Sequence, residues 1–141
     1  SRGRSDLELQ VKPILQVIDD KFVAVGADAS VKDVIAALIK ADASEGYCIE
    51  GNKTFIGKYA LTGLMRAAST ASVREHLMQD PISLNHDASV LQAMEVASNF
   101  VGESIPVIHQ ENGQLLGVVS EADIFNAYLT TQSQVHDLEH N

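Results

Sequence analysis

Ala27–Ala67, ADASVKDVIAALIKADASEGYCIEGNKTFIGKYALTGLMRA, is echoed by His86–Ala127, HDASVLQAMEVASNFVGESIPVIHQENGQLLGVVSEADIFNA. Asp28-Ala29-Ser30-Val31 returns as Asp87-Ala88-Ser89-Val90 at a shift of 59, and Gly57 returns as Gly117 at a shift of 60. One residue has been gained between the two anchors. Repetition at a fixed period decides architecture before any residue chemistry does. A unit this small rarely stands on its own core, so the two copies are expected to cover each other about a pseudo-two-fold axis. Two related clefts would then lie between them.

Working outward from the repeat, each copy reads strand, helix, strand, strand, helix. Phe22–Val25 is a strand candidate, and Ser30 with Asp33 three residues on is a helix start. Val31, Val34, Ile35, Leu38 and Ile39 then fall at helical spacing and predict one buried face. Strands follow around Tyr47–Ile49 and over Thr54–Tyr59, with a turn at Gly51-Asn52 and a helix from Thr62 to Ala68. The second copy repeats the order: a strand over Ile82–Leu84, Ser89 with Gln92 as a fuller capping box, and a helix face of Val90, Leu91, Met94, Ala97 and Val101. Ile105–Ile108 is a strand, Glu111-Asn112-Gly113 a hairpin turn, Leu115–Val119 another strand, and Ser120–Leu129 the closing helix. The expected fold class is α+β, two β-α-β-β-α repeats whose small sheets pack together. Residues 1–16 read as a linker and N-terminal segment, 17–68 as the first repeat and 73–130 as the second, divided by the small polar run Ala67–Ser72. Residues 131–141 read as a polar, mobile tail.

Composition narrows the function. The 141 residues carry 45% hydrophobic and 21% charged side chains, ordinary for a globular domain. A formal charge of -9 argues against nucleic-acid binding, which needs a cationic face, and against an anionic membrane surface. The single Cys48 offers no disulfide framework, and the five histidines show no metal spacing, His136 and His140 in the tail included. No apolar run approaches the roughly 20 residues of a membrane span. The chain starts at Ser1 without methionine and reads as a piece of something longer. Nothing resembles an activated nucleophile, so no enzyme is expected. Asp19-Asp20 read as solvated charge, and Met65, Met78 and Met94 as core filler.

The paired motifs resemble a tandem CBS domain pair, or Bateman module, over about residues 17–130. The resemblance is carried by the two Asp-Ala-Ser-Val helix starts, Ser104-Ile105-Pro106-Val107-Ile108, the Asn112-Gly113 hairpin, and Gly117-Val118-Val119-Ser120-Glu121-Ala122-Asp123-Ile124, which fits the family's Gly-h-h-Ser/Thr-x-x-Asp signature. It implies a cleft for an adenosine-containing regulatory ligand such as AMP, ADP, ATP or S-adenosylmethionine. Asp123 would accept from ribose hydroxyls and Ser120 would donate to phosphate near the helix start, where unpaired N–H groups favour an anion. The first copy would contribute contacts near Ile18 and Val23 and around Ser44 and Glu45. Ala60 and Gly63 stand at the aligned places of the first copy, so at most one cleft keeps the signature. Ser120-x-x-Asp123 is equally a capping box that needs no ligand. Glu103 and Glu121 beside the cleft disfavour a triphosphate, which points to adenosine or AMP over ATP, or to an empty site.

The resemblance further implies a homodimer and a cytoplasmic regulatory role, with the chain covalently attached to a membrane domain. The flanking SRGRSDLELQVKPIL and GVVSEADIFNAYL are similar to segments around the CBS pair of bacterial ClC-type chloride channels or antiporters, with Ser-Arg-Gly-Arg on the cytoplasmic side. The alternatives are the CBS tail of another transporter or enzyme, and a ligand-free structural dimerisation domain.

Overall fold

The computed structural model describes residues 12–140, with side chains to residue 133. The N-terminal part of the expected linker, Asn141, and the side chains of His136 and His140 lie outside the described residues.

Two three-stranded sheets, ordered β1-β2-β3 and β4-β5-β6, form the frame. The first repeat runs β1 (Ala24–Gly26), α1 (Val31–Lys40), β2 (Glu45–Glu50), β3 (Thr54–Ala60) and α2 (Leu61–Leu64); the second runs β4 (Leu84–Asn85), α3 (Val90–Ala97), β5 (Ile105–Ile108), β6 (Leu115–Val119) and α4 (Glu121–His140). In each repeat the first helix is the crossover that lets the first two strands pair in parallel, while a tight hairpin pairs the last two antiparallel. The hairpins turn through positive φ at Gly51 and Lys53 in one copy and at Gly113 in the other. Both copies also share a bulge at the same place, after Cys48 and after Val107. The helices begin as the sequence dictates. Ser30 Oγ accepts from the Asp33 N–H, and Ser89 with Gln92 closes a full capping box.

Three apolar clusters hold the molecule. One lies under each repeat's helices, around Val31, Val34, Leu38 and Cys48 in the first and Val90, Ala93, Ile105 and Val107 in the second. Alternation along the strands creates the third. Cys48 faces the helices, while its neighbours Tyr47 and Ile49 face the other sheet and meet Leu115, Val118, Phe22 and Phe55. The pseudo-two-fold axis passes through this seam. Phe55 N–H donates to Gly113 O and Leu115 N–H to Lys53 O, both at 2.9 Å, around the bridge between Thr54 and Gln114.

The segment preceding each repeat packs on the other one. Pro13 bridges to Ser89 and Asp19 to Val118, and Ile14, fully buried, sits in the second repeat's core. Val73, in the equivalent short 3-10 turn Val73–His76, sits in the first repeat's core, and Met78 N–H donates to Lys58 O at 2.7 Å.

Some expectations are corrected. Ile39 is 67% exposed and Val101 92%, because Ile39 falls on the outward side of the last turn of α1 and α3 already ends at Ala97. Met65 and Met78 are exposed rather than core. The helix expected over Thr62–Ala68 closes after Leu64, and the last helix continues past Leu129 to His140 in place of a mobile tail from Thr130. Asp19 is not merely solvated: its backbone completes the edge of β6.

Candidate functional site

A cleft of about 410 Å³ opens between the repeats. Its walls come from the entry to β1 (Asp19, Lys21, Phe22, Val23), the residues between α1 and β2 (Ala41, Ala43), β2 itself (Glu45, Tyr47), the entry to β5 (Glu103, Ser104), and the passage from β6 to α4 (Val118, Ser120, Asp123). Of the six residues expected at a site, Ser120, Asp123, Val23 and Glu45 line this one space. Ile18 does not: it packs towards the second repeat's core and lines an adjoining hollow that shares Asp123. Ser44 does not line the cleft either, although its backbone N–H is engaged at the rim by Glu103.

Ser120 and Asp123 cap each other. Asp123 N–H donates to Ser120 Oγ at 3.0 Å, and Ser120 N–H donates to Asp123 Oδ2 at 3.1 Å. Helix capping is therefore part of what this pair does. It does not exhaust the pair, however. A hydroxyl that accepts still has its proton to donate, and a carboxylate that accepts through Oδ2 keeps Oδ1 for another donor. Among the described residues Oδ1 of Asp123 has no hydrogen-bond partner.

The opposite wall is a polar knot between the repeats. Glu103 carboxylate accepts the N–H groups of Ser44 and Glu45 at 3.1 Å, and Glu45 Oε1 accepts the Glu103 N–H at 2.6 Å. Lys58, 2% exposed, reaches the same Glu45 oxygen at 3.0 Å and donates to Ser104 O at 2.8 Å, with the Phe100 ring 4.9 Å away. Tyr47 donates its hydroxyl to Ser104 O at 3.1 Å and touches Ser104 Oγ closely. Burial pushes the Tyr47 phenol well above its ordinary value; the hydrogen bond with Ser104 opposes this, while the carboxylates of Glu45 and Glu103 add to it. The phenol stays neutral and serves as a donor.

The symmetry-related place in the first repeat differs in kind. At the places of Ser120 and Asp123 it has Ala60 and Gly63, and at the place of Val118 it has Lys58, whose ammonium is buried among Glu45, Ser104 O and Phe100. Sequence reasoning missed Lys58, Tyr47, Lys21 and Asp19 as neighbours of the clefts. The repeat offset was a usable signal for Lys58, because it aligns that lysine with cleft-lining Val118. Among the described residues no group of three or more His, Cys, Asp and Glu side chains is arranged to hold a metal ion.

Residues 73–130 match the CBS domain family. The chain folds as a CBS domain pair. Solved CBS-pair structures share this arrangement across both repeats. CbpB, solved in complex with c-di-AMP, superposes with a TM-score of 0.80 at 13% identity, covering 95% of each chain. CBSX2, a CBS-pair protein from Arabidopsis thaliana, was also solved with AMP; that structure gives a TM-score of 0.73 at 15% identity over 86% of this chain and 98% of the other. The cytosolic domain of the Mg²⁺ channel MgtE, solved with ATP, gives 0.73 at 20% identity over 88% of this chain, which spans 53% of that one. At these identities the likeness is one of fold. No curated protein matches this chain by sequence. Among the described residues no helix is long and apolar enough to cross a membrane.

Proposed function

We propose that this CBS pair is a regulatory, non-catalytic module that senses an adenosine-containing ligand in the cleft of Ser120 and Asp123. One observation carries the reading: the cleft brings Ser120, Asp123, Val23 and Glu45 together while leaving a hydroxyl proton and a carboxylate oxygen available. Vicinal ribose hydroxyls are suited to Asp123 Oδ1, and Phe22, Val23 and Val118 offer an apolar wall to a base. Ser44, its N–H held by Glu103, would border the rim without contacting the ligand, and Ile18 would support Asp123 from the neighbouring hollow. Relatives of the same fold solved with AMP, c-di-AMP and ATP support the ligand class.

The module acts as a homodimer in this reading. Ile39, Phe125 and Leu129 on the helices and Met65 just after α2 present apolar side chains at 67%, 57%, 47% and 68% exposure, and a second copy is the occupant proposed for them. It works in the cytoplasm, attached to a membrane transporter. The ClC-like flanking segments favour a chloride channel or antiporter, and the MgtE domain supports a transporter parent in general.

A thermal-shift series with adenosine, AMP, ADP, ATP and S-adenosylmethionine tests the ligand reading. A ligand at 100 times its dissociation constant adds about 2.7 kcal/mol of stability. Asp123→Ala is expected to remove the ligand-induced shift. Gly63→Ala, whose new Cβ would meet nothing within 4 Å, is expected to keep it. Loss of the cap lowers the melting temperature of the unliganded Asp123 variant by itself, so the quantity compared is the increment on adding ligand. If no compound shifts the wild type at millimolar concentration, the ligand reading fails and a ligand-free dimerisation role takes its place.

A further inference from the structure

The knot on the cleft wall contains an unusual exchange. Glu103 carboxylate lies on two consecutive backbone N–H groups, Ser44 and Glu45, each at 3.1 Å, and so sits where an anionic group of a ligand would be held. The exchange is locked from the other side, since Glu45 Oε1 receives the Glu103 N–H at 2.6 Å. Gly102 makes the approach possible. Its φ of 149° is one that side chains rarely adopt, and a Cβ there would stand 3.0 Å from both Glu45 carboxylate oxygens and 2.8 Å from Phe100. The charges bordering the cleft are Asp19, Glu45, Glu103 and Asp123 against Lys21, with Lys58 buried behind Glu45.

We propose that Glu103 is the specificity-determining residue of this cleft: it occupies the Ser44–Glu45 N–H pair in place of a ligand anion, so that an uncharged adenosine group is accepted and a phosphorylated one is disfavoured. The inference rests on the adenosine reading above and deepens it. A phosphate that enters beside Ser120 finds this second pair of N–H donors already taken by a carboxylate, and it must either displace that carboxylate or stand close to its charge. The cost falls on the phosphate and spares the base and ribose.

Titration calorimetry with adenosine and AMP, on wild type, Glu103→Gln and Glu103→Ala, tests it. Wild type is expected to bind adenosine more tightly than AMP. Both variants are expected to shift the ratio of the two dissociation constants towards AMP by about tenfold, the scale of one close charge removed in a partly screened site. Glu103→Gln keeps the shape and an acceptor for the N–H pair, so it preserves the test if Glu103→Ala does not fold. Tighter AMP than adenosine binding by the wild type, or a ratio unchanged within about twofold in the variants, overturns the role of Glu103 and leaves the adenosine reading standing. Absence of binding by every protein overturns both.

Discussion

Lys58 and Val118 hold equivalent places on the last strands of their repeats, and the difference between them separates the two clefts. Val118 lines the open one and contributes only apolar surface to the seam. Lys58 carries a charge into the equivalent position, where it is only 2% exposed and Glu45, at 11% exposure, is the carboxylate that answers it. Such a pair gives little net stability when formed, because both ions have lost their hydration, but removing one partner leaves a buried charge unanswered. Lys58→Ala is therefore expected to lower unfolding stability by about 3–5 kcal/mol. Urea denaturation followed by circular dichroism measures this, and a loss below about 1 kcal/mol would mean that water reaches Glu45 freely. The exposed pair Arg74–Glu50 is the contrast: solvent screens it, and its removal is expected to matter little.

Among the elements, the edge segments explain a residue that the repeat pattern alone does not. Gly117 opens the signature stretch of the second copy and Gly57 stands at the aligned place of the first, and in both copies the reason for glycine is crowding from the segment before the other repeat. A Cβ on Gly117 would stand 3.0 Å from Asp19 O, a backbone atom pinned by its bridge to Val118; one on Gly57 would stand 2.8 Å from Leu77 Cδ1, the end of a side chain that can turn away. Gly117→Ala is thus expected to cost about 1–3 kcal/mol, and Gly57→Ala less, in the same denaturation measurement. Equal costs would mean that the Asp19 edge yields as easily as a leucine. The helices and hairpins were legible in the sequence because their signals are local: Ser30 and Ser89 cap α1 and α3, and Gly113 turns the second hairpin. Ser120 and Asp123 are legible locally only as a capping box; as ligand candidates they come from the resemblance to the CBS signature. Ile39 and Val101 were misread because period alone does not say where a helix stops turning towards its core. The Glu45–Glu103 exchange, Lys58 and Asp19 depend on which strand edge meets which across the axis, and no local pattern carries that.

For the whole molecule, the swapped edges mean that a repeat in sequence is not a repeat in space. The second repeat's core contains Ile14, from before the first repeat, and β6 is flanked by Asp19 from the same segment. The first repeat's core in turn contains Val73, from the start of the second. The seam adds Tyr47, Phe22 and Phe55 from one side to Leu115 and Val118 from the other. A fragment of residues 73–130, the stretch that matches a CBS domain, lacks Ile14, the edge at Asp19 and half of the seam. It keeps Val73 without the core that Val73 fills. Burying one aliphatic side chain is worth about 1.5–3 kcal/mol, and whole domains are stable by only about 5–15 kcal/mol, so these losses together exceed what so small a unit can spare. The fragment is expected to show an unfolded circular dichroism spectrum and poorly dispersed amide resonances, while the full chain unfolds in one transition with both repeats melting together. A dispersed spectrum and a cooperative transition from the isolated fragment would mean that the repeats are autonomous. A ligand lying between them would then have no shared seam through which to act. In the structure described, β2 of one repeat and the start of α4 in the other wall the same cleft, so the binding energy of a ligand held there would be added to the seam that both repeats need.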